Sequence, residues 1–366
     1  RINWYSAVKN TKITLPKGKS VIFRGENKDG INQTQFRITG DVSVSGDINT
    51  LINKTGGDIT LAGQCYQNLF WECNGLTDAS KLKLPSTTLS AACYLNMFID
   101  CSNLVYAPEL PATTLASECY KSMFSGCYKL VYAPELPATT LATSCYESMF
   151  VDCKALKSAP VLPADELVDK CYGDMFDGCS SLNEIEVAFT EWKSSCTENW
   201  VENVASKGLF ICPTVLDQTK KGVNNIPSSW LIESPTPYLT FTSKEDGSKV
   251  GFADISSVVS ELYYRVDGSD WVEASNLKNN PVTLNYGNKI QFYGNNKNGL
   301  SNGQGDRTQF YVTGKVSVSG DLNTLMTDTV GAVDLKDYNY YYLFQIIDWG
   351  NPIKKERNIP VFISNN

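Results

Sequence analysis

The chain has 366 residues, a net charge of −7, twelve cysteines and no histidine. An acidic balance lacks the clustered Lys and Arg that a nucleic-acid partner requires, and the absence of His removes Ser-His-Asp and Cys-His catalysis as well as His-ligated metals. With 42% hydrophobic residues the chain is not disordered, no apolar run approaches the roughly 20 residues of a membrane span, and the length predicts two or three domains.

Taken in chain order, residues 1–62 read as a β module without its opening strands. The first residues resemble the middle of a strand, so the chain is expected to be an excerpt or a mature piece. Alternating segments such as VSVSG, bounded by Gly, Asn and Asp, predict antiparallel strands of a small Ig-like sandwich. The module occurs twice: Lys17–Gly30 (KGKSVIFRGENKDG) recurs as Tyr286–Gly299 (YGNKIQFYGNNKNG), and Thr34–Leu51 recurs as Thr308–Leu325. Arg1 aligns with Arg265, so the first copy lacks YLTFTSKEDG and most of LYYRVDGSDW, which precede the shared part in the second, or is supplied with them from elsewhere.

Residues 63–188 form a repeat array. CYQNLFWEC, CYLNMFIDC, CYKSMFSGC, CYESMFVDC and CYGDMFDGC begin at Cys65, Cys93, Cys119, Cys145 and Cys171, with a period of 28 and then 26. In the third unit Tyr120, Met123, Phe124 and Cys127 fall at i, i+3, i+4 and i+7 beside Cys119, the pattern of one face of a short helix. The tail that follows, with Leu130, Ala133 and Leu136, predicts an extended segment closed by Pro137. One strand and one helix per unit predict a mixed α/β solenoid of five repeats, stabilised by stacking and needing caps. Residues 189–235 read as that cap and a linker, with Trp200, Val201, Val204 and Phe210 covering the last repeat. Residues 236–366 read as the complete second β module, and its Tyr338–Asp348 run (YNYYYLFQIID) aligns with the start of the first repeat.

The unit C-Y-x-x-M-F-x-x-C-x-x-L-x-x-A-P-x-L-P-A-T-T-L resembles the BspA-like leucine-rich repeats of surface proteins from gut Bacteroidetes and their phages, over Cys65 to about Val187. The resemblance implies a non-enzymatic, surface-exposed protein of adhesion or recognition. Its partner would be a host or bacterial surface protein or glycan, and its place extracellular. The alternative is a phage virion component, structural or receptor-binding.

Several constellations bear on chemistry. Eight residues of helix rise about 12 Å, beyond the roughly 7 Å Cα separation of a disulfide, so the repeat cysteines are expected as two ladders of buried thiols. Bridges within the repeats remain open if the helix breaks before the second Cys. Zinc is disfavoured by the lack of C-x-x-C and His. Cys196 and Cys212 flank the cap outside the ladders and are the disulfide candidate, with two more buried thiols as the alternative. Tyr106 and Tyr132 occupy matching positions one repeat apart, as do Glu109 and Glu135. They predict a small exposed patch of stacked rings and carboxylates suited to a sugar or a protein, unless it is simple duplication of a surface residue. The paired glutamates could also be read as glycosidase carboxyls, but a repeat array places like side chains at such spacing by necessity. Loops Asp267–Asp270 and Gly294–Asp306 could offer oxygen ligands to calcium, although tight turns explain them equally. Asn32-Gln33-Thr34 and Asn53-Lys54-Thr55 match the glycosylation sequon, without meaning in a bacterial source. No cofactor, catalytic residue or metal ligand set is expected.

Overall fold

The computed structural model describes residues 10–32, 34–235, 238–278, 280–296, 299–302, 305–326 and 343. By its internal contacts the chain divides into two compact units, Arg1–Ser234 and Pro235–Asn366, each with its own apolar core.

In the first unit the repeat motif is not helical. In the third repeat, alternate amides close three-residue turns: Cys119, Lys121, Met123, Ser125 and Cys127 donate to Ala116, Glu118, Tyr120, Ser122 and Phe124. The amides between them, from Glu118, Tyr120, Ser122, Phe124 and Gly126, donate instead to Thr143, Cys145, Glu147, Met149 and Val151 of the next repeat. Half of the backbone donors are thereby spent between repeats, which leaves no i−4 ladder for a helix. Every fourth residue takes a positive φ, as at Glu118 (57°), Ser122 (53°) and Gly126 (73°), the value a type II turn requires at its third position. Asn68, Asn96, Asp100, Asp152 and Gly178 fill the same register elsewhere, residue types that tolerate this region best.

A four-residue turn period buries the same positions as a helix would over nine residues. Cys119, Tyr120, Met123, Phe124 and Cys127 are all buried, as are their equivalents in the other repeats. Successive Phe rings stack at 5.2–5.7 Å and successive Tyr rings at 5.6–6.1 Å, all within 9° of parallel. Each large apolar side chain so buried contributes about 1.5–3 kcal/mol.

The tails behave according to their proline content. After the first repeat, Leu76–Lys83 contains no Pro and forms strand β2, parallel to β1 (Val42–Asp47). The next tails carry Pro108 and Pro111, Pro134 and Pro137, or Pro160 and Pro163, which remove amide donors, and they make only isolated bridges such as Tyr106–Tyr132 and Ser158–Glu184. Pairing resumes without Pro in β3 (Glu184–Glu186), β4 (Leu209–Ile211) and β5 (Leu231–Glu233), a parallel three-stranded sheet. At this end Trp200 is fully buried against Tyr172, Phe176, Phe189 and Phe210, and Val201 is buried and Val204 partly buried in the same core. The indoles of Trp192, Trp200 and Trp230 donate to the carbonyls of Asp217, Asn225 and Ala205 at 3.0, 2.8 and 2.7 Å, which satisfies their polar ends inside the core.

The expected mixed α/β solenoid is therefore not formed. Among the described residues there is no α-helix, only three 3-10 turns of four or five residues, and the sheets are small. Nor is the first module an Ig-like sandwich, since β1 is the one strand among its described residues.

The second unit is built from β6 (Leu239–Ser243), β7 (Ser248–Asp254), β8 (Leu262–Val266), β9 (Val272–Glu273), β10 (Val282–Leu284), β11 (Lys289–Gly294), β12 (Gln309–Thr313) and β13 (Val316–Ser319). They form a five-stranded sheet in the order β13-β6-β11-β8-β9 and a three-stranded sheet in the order β10-β7-β12. Phe241 and Phe292 of the first sheet meet Phe252 and Phe310 of the second in one aromatic core, with centroids 4.6–5.7 Å apart. The Tyr338–Asp348 run lies outside the described residues except for Leu343, whose carbonyl accepts from the Phe310 amide at 2.9 Å, as Leu69 accepts from Phe36 at 2.8 Å.

Candidate functional site

The stack brings the sequence-predicted pair together: Tyr106 and Tyr132 lie face to face with centroids 6.5 Å apart and planes 19° from parallel. Their backbones are joined by a parallel bridge, and Tyr106 is bridged in turn to Asp78. Both rings are half-buried, while Glu109 and Glu135, three residues further along each tail, are exposed. In the next repeat the matching positions are Ser158 and an exposed Val161, so the tyrosine-glutamate pattern stops after two units. The backbone of Tyr106 is thus bridged on both sides, and each tail carries its exposed glutamate three residues beyond the tyrosine.

The cysteines form the expected buried rows, held by a different geometry. Cys73, Cys101, Cys127, Cys153 and Cys179 each donate the thiol to the carbonyl of Phe36, Phe70, Phe98, Phe124 and Phe150, one layer back, at 3.0–3.2 Å. Burial pushes Cys65 and Cys73 up to about 11 and Cys119 and Cys171 up to about 12, which keeps these thiols protonated and unreactive at neutral pH. The Cys196–Cys212 disulfide is not formed: both residues are free and buried. Cys196 continues the first cysteine row, where the Cys171 thiol points at its carbonyl from 3.9 Å, and Gln218 points at the Cys212 sulfur.

The tyrosine row that runs inside the stack is polar at one end only. Tyr66 donates to Asn49 Oδ1 at 2.8 Å, and Asn49 in turn reaches Gly57 and Ser86. The hydroxyls of Tyr94, Tyr120, Tyr146 and Tyr172 are buried without a hydrogen-bond partner.

In the calcium-candidate loops two carboxylates accept hydrogen bonds from residues distant in sequence. Asp267 accepts from the Lys289 amide and the Asn288 side chain, and Asp306 accepts from the amide and hydroxyl of Ser257. Among the described residues no group of three or more His, Cys, Asp or Glu is placed to hold a metal ion, and no helix is long and apolar enough to cross a membrane.

Sequence reasoning missed a cluster on the second unit. The Arg265 guanidinium lies 4.8 Å from the Trp271 ring and 5.8 Å from that of Tyr238, and its Nε donates to Gln291 at 2.7 Å. Tyr293 packs against Trp271 edge to face at 4.5 Å and stacks on Tyr263 at 5.0 Å. The signal was present as i, i+2 pairs: Tyr263 with Arg265 in β8, and Gln291 with Tyr293 in β11, alternate with the core residues Tyr264, Ile290 and Phe292. Arg265 here serves to hold the rings together as well as to present charge. No protein-family model, no curated protein and no solved structure matches this chain.

Proposed function

We propose that the chain is a non-enzymatic, surface-exposed recognition protein that binds a protein or glycan partner through the outer face of its repeats. The observation that carries this reading is the Tyr106–Tyr132 pair, two half-buried rings stacked 6.5 Å apart, with exposed Glu109 and Glu135 three residues further along each tail. Aromatic rings that already stack on each other lose less freedom on binding than isolated ones, and exposed carboxylates accept hydrogen bonds from hydroxyls or amides. The buried, protonated thiols leave the repeat interior to structural work, so recognition falls to the exposed rows.

The test is binding of the labelled chain, in parallel, to mucin and extracellular matrix, to cultured epithelial cells and to whole gut bacteria. A Tyr106→Ala, Tyr132→Ala double variant is expected to lose roughly tenfold or more in affinity while its unfolding midpoint changes little. Binding confined to host material supports an adhesin, and binding confined to bacteria supports an interbacterial or virion role. Binding that survives the double substitution, or no binding to any of these surfaces, refutes recognition through this patch.

A further inference from the structure

Along β6, β8 and β11 the side chains alternate between the core and the opposite face of the five-stranded sheet, as a period of two requires. Phe241, Leu262, Ile290 and Phe292 are buried in the core. The intervening Thr240, Tyr263, Arg265, Gln291 and Tyr293 fall on the other face, where the strand register sets Arg265 opposite Gln291, Gln291 opposite Thr240 and Tyr263 opposite Tyr293. These outward positions are aromatic or polar, and none is aliphatic. Tyr238 and Trp271 join them from outside the strands: Trp271 meets Tyr293 edge to face at 4.5 Å and Tyr238 edge to face at 4.9 Å, and all four rings are half-buried.

The one cation in this cluster is locked in place. The Arg265 guanidinium contacts the rings of Trp271 and Tyr238, and its Nε donates to Gln291 Oε1 at 2.7 Å. Gln291 is fixed in turn, since its Nε2 donates to Thr240 Oγ1 at 3.3 Å and the buried Thr240 hydroxyl donates to the Tyr238 carbonyl at 2.8 Å. Both terminal nitrogens of Arg265 stand outside these bonds, and among the described residues no carboxylate pairs with them. Asp267, two residues along, accepts from the Lys289 amide and the Asn288 side chain instead. The exposed Asp270 and Glu273 flank Trp271 in sequence and make no ion pair with Arg265. The sheet therefore carries an oriented, uncompensated guanidinium among four half-buried aromatic rings.

We propose that this face of the second unit is a binding site for a glycan that carries a carboxylate, as uronic and sialic acid units do. The terminal nitrogens of an arginine form a planar pair of donors that a carboxylate accepts side by side, and its charge strengthens both bonds. Trp271 and the tyrosine rings supply flat apolar surface for the C–H face of a pyranose, and their phenol groups offer hydrogen bonds to its hydroxyls. Because rings, cation and Gln291 are packed on one another before a ligand arrives, little side-chain freedom is left to lose on binding. A protein partner fits less well: its apolar anchors need desolvated pockets, and this face has no aliphatic position to line one. The site is independent of the Tyr106–Tyr132 patch, which belongs to the other compact unit.

The experiment is isothermal titration of the full chain with trigalacturonate, a hyaluronan tetrasaccharide and sialyllactose, each set against its own methyl ester. Saturable binding of at least one acid is expected, with its ester weaker by roughly tenfold or more, a comparison made on the parent chain that needs no variant to fold. Arg265→Gln and, separately, Trp271→Ala are expected to weaken the acid by a similar factor, whereas the Tyr106→Ala, Tyr132→Ala variant is expected to bind it as the parent does. Absence of binding by all three acids would overturn the proposal, and so would esters that bind as well as the acids. Binding that survives both substitutions in the second unit, or that is lost in the Tyr106→Ala, Tyr132→Ala variant, would place the sugar elsewhere and overturn it too. A glutamate-rich peptide that binds as tightly as the best sugar would overturn it in favour of an acidic polypeptide.

Discussion

Replacing Tyr120 by Phe removes one hydroxyl from the middle of the stacked ring row and leaves the ring in place. Tyr120 lies between Tyr94 and Tyr146 at 5.6 and 5.9 Å, and its hydroxyl is buried with no hydrogen-bond partner. In the unfolded chain that hydroxyl is hydrated, so folding desolvates it with nothing in return, at a cost of about 1–3 kcal/mol. Deleting it is expected to stabilise the first unit by ~1 kcal/mol or more, against the usual trend that core substitutions destabilise. For a urea dependence of ~3 kcal/mol per M, the unfolding midpoint rises by ~0.3 M. Tyr66→Phe is the matched control, because its hydroxyl is bonded to Asn49 at 2.8 Å. Its loss orphans part of the Asn49 network and is expected to lower the midpoint by a similar amount. Urea unfolding followed by circular dichroism distinguishes the two. A fall in midpoint for Tyr120→Phe would refute the reasoning, because it would mean that the hydroxyl is satisfied, by an internal water for instance.

Other outcomes follow from the same packing. Thiols and phenols are acids, and burial raises Cys65 and Cys73 to about 11 and Cys119 and Cys171 to about 12 from an ordinary 9.0, with the stacked tyrosines also raised. The unfolded chain therefore gives up these protons first. Stability is complete below pH ~9 and falls as pH rises through 9 to 12, by up to ~1.4 kcal/mol per pH unit for each such group, so alkaline titration should unfold the first unit cooperatively. Thiol titration without reductant should find all twelve cysteines free after denaturation and almost none reactive before it; a count of ten would restore the Cys196–Cys212 bridge. Gly178→Ala should lower stability by ~1–3 kcal/mol, because Gly178 has a φ of 76° and an added Cβ would lie 2.6 Å from Asp152 Oδ1. An unchanged thermal midpoint would contradict the turn geometry assigned to that position.

The repeat motif carried its burial pattern openly and its backbone poorly. Pairs of apolar residues recurring every four positions over nine residues fit a 3.6-residue helix and a four-residue turn ribbon equally well, and the two part company only over longer spans. Asn, Ser, Asp and Gly at every fourth position were the available clue to positive φ, but such residues are also ordinary surface choices. Deciding between the two required knowing where alternate amides find their acceptors, and these lie 25 to 27 residues away in the next repeat. The Tyr106–Tyr132 pair was legible because a repeat displaces equivalent side chains by one layer, whereas the Arg265 cluster joins β8 and β11 with residues outside both strands and needed the sheet order.

The duplicated VSVSG segment separates what sequence determines from what tertiary structure decides. Both copies run from an extended segment into a 3-10 turn, Ile48–Leu51 and Leu322–Leu325, and both turns are held by the same asparagine clamp. Those features rest on contacts inside the module and arise wherever its sequence occurs. Strand pairing does not: β1 runs parallel to β2, while β13 runs antiparallel to β6. A β-strand carries unsatisfied donors and acceptors on both edges, and its own residues set their spacing without naming the partner. The partner is whichever segment the rest of the chain brings to one edge or the other, a repeat tail in one unit and a hairpin strand in the other.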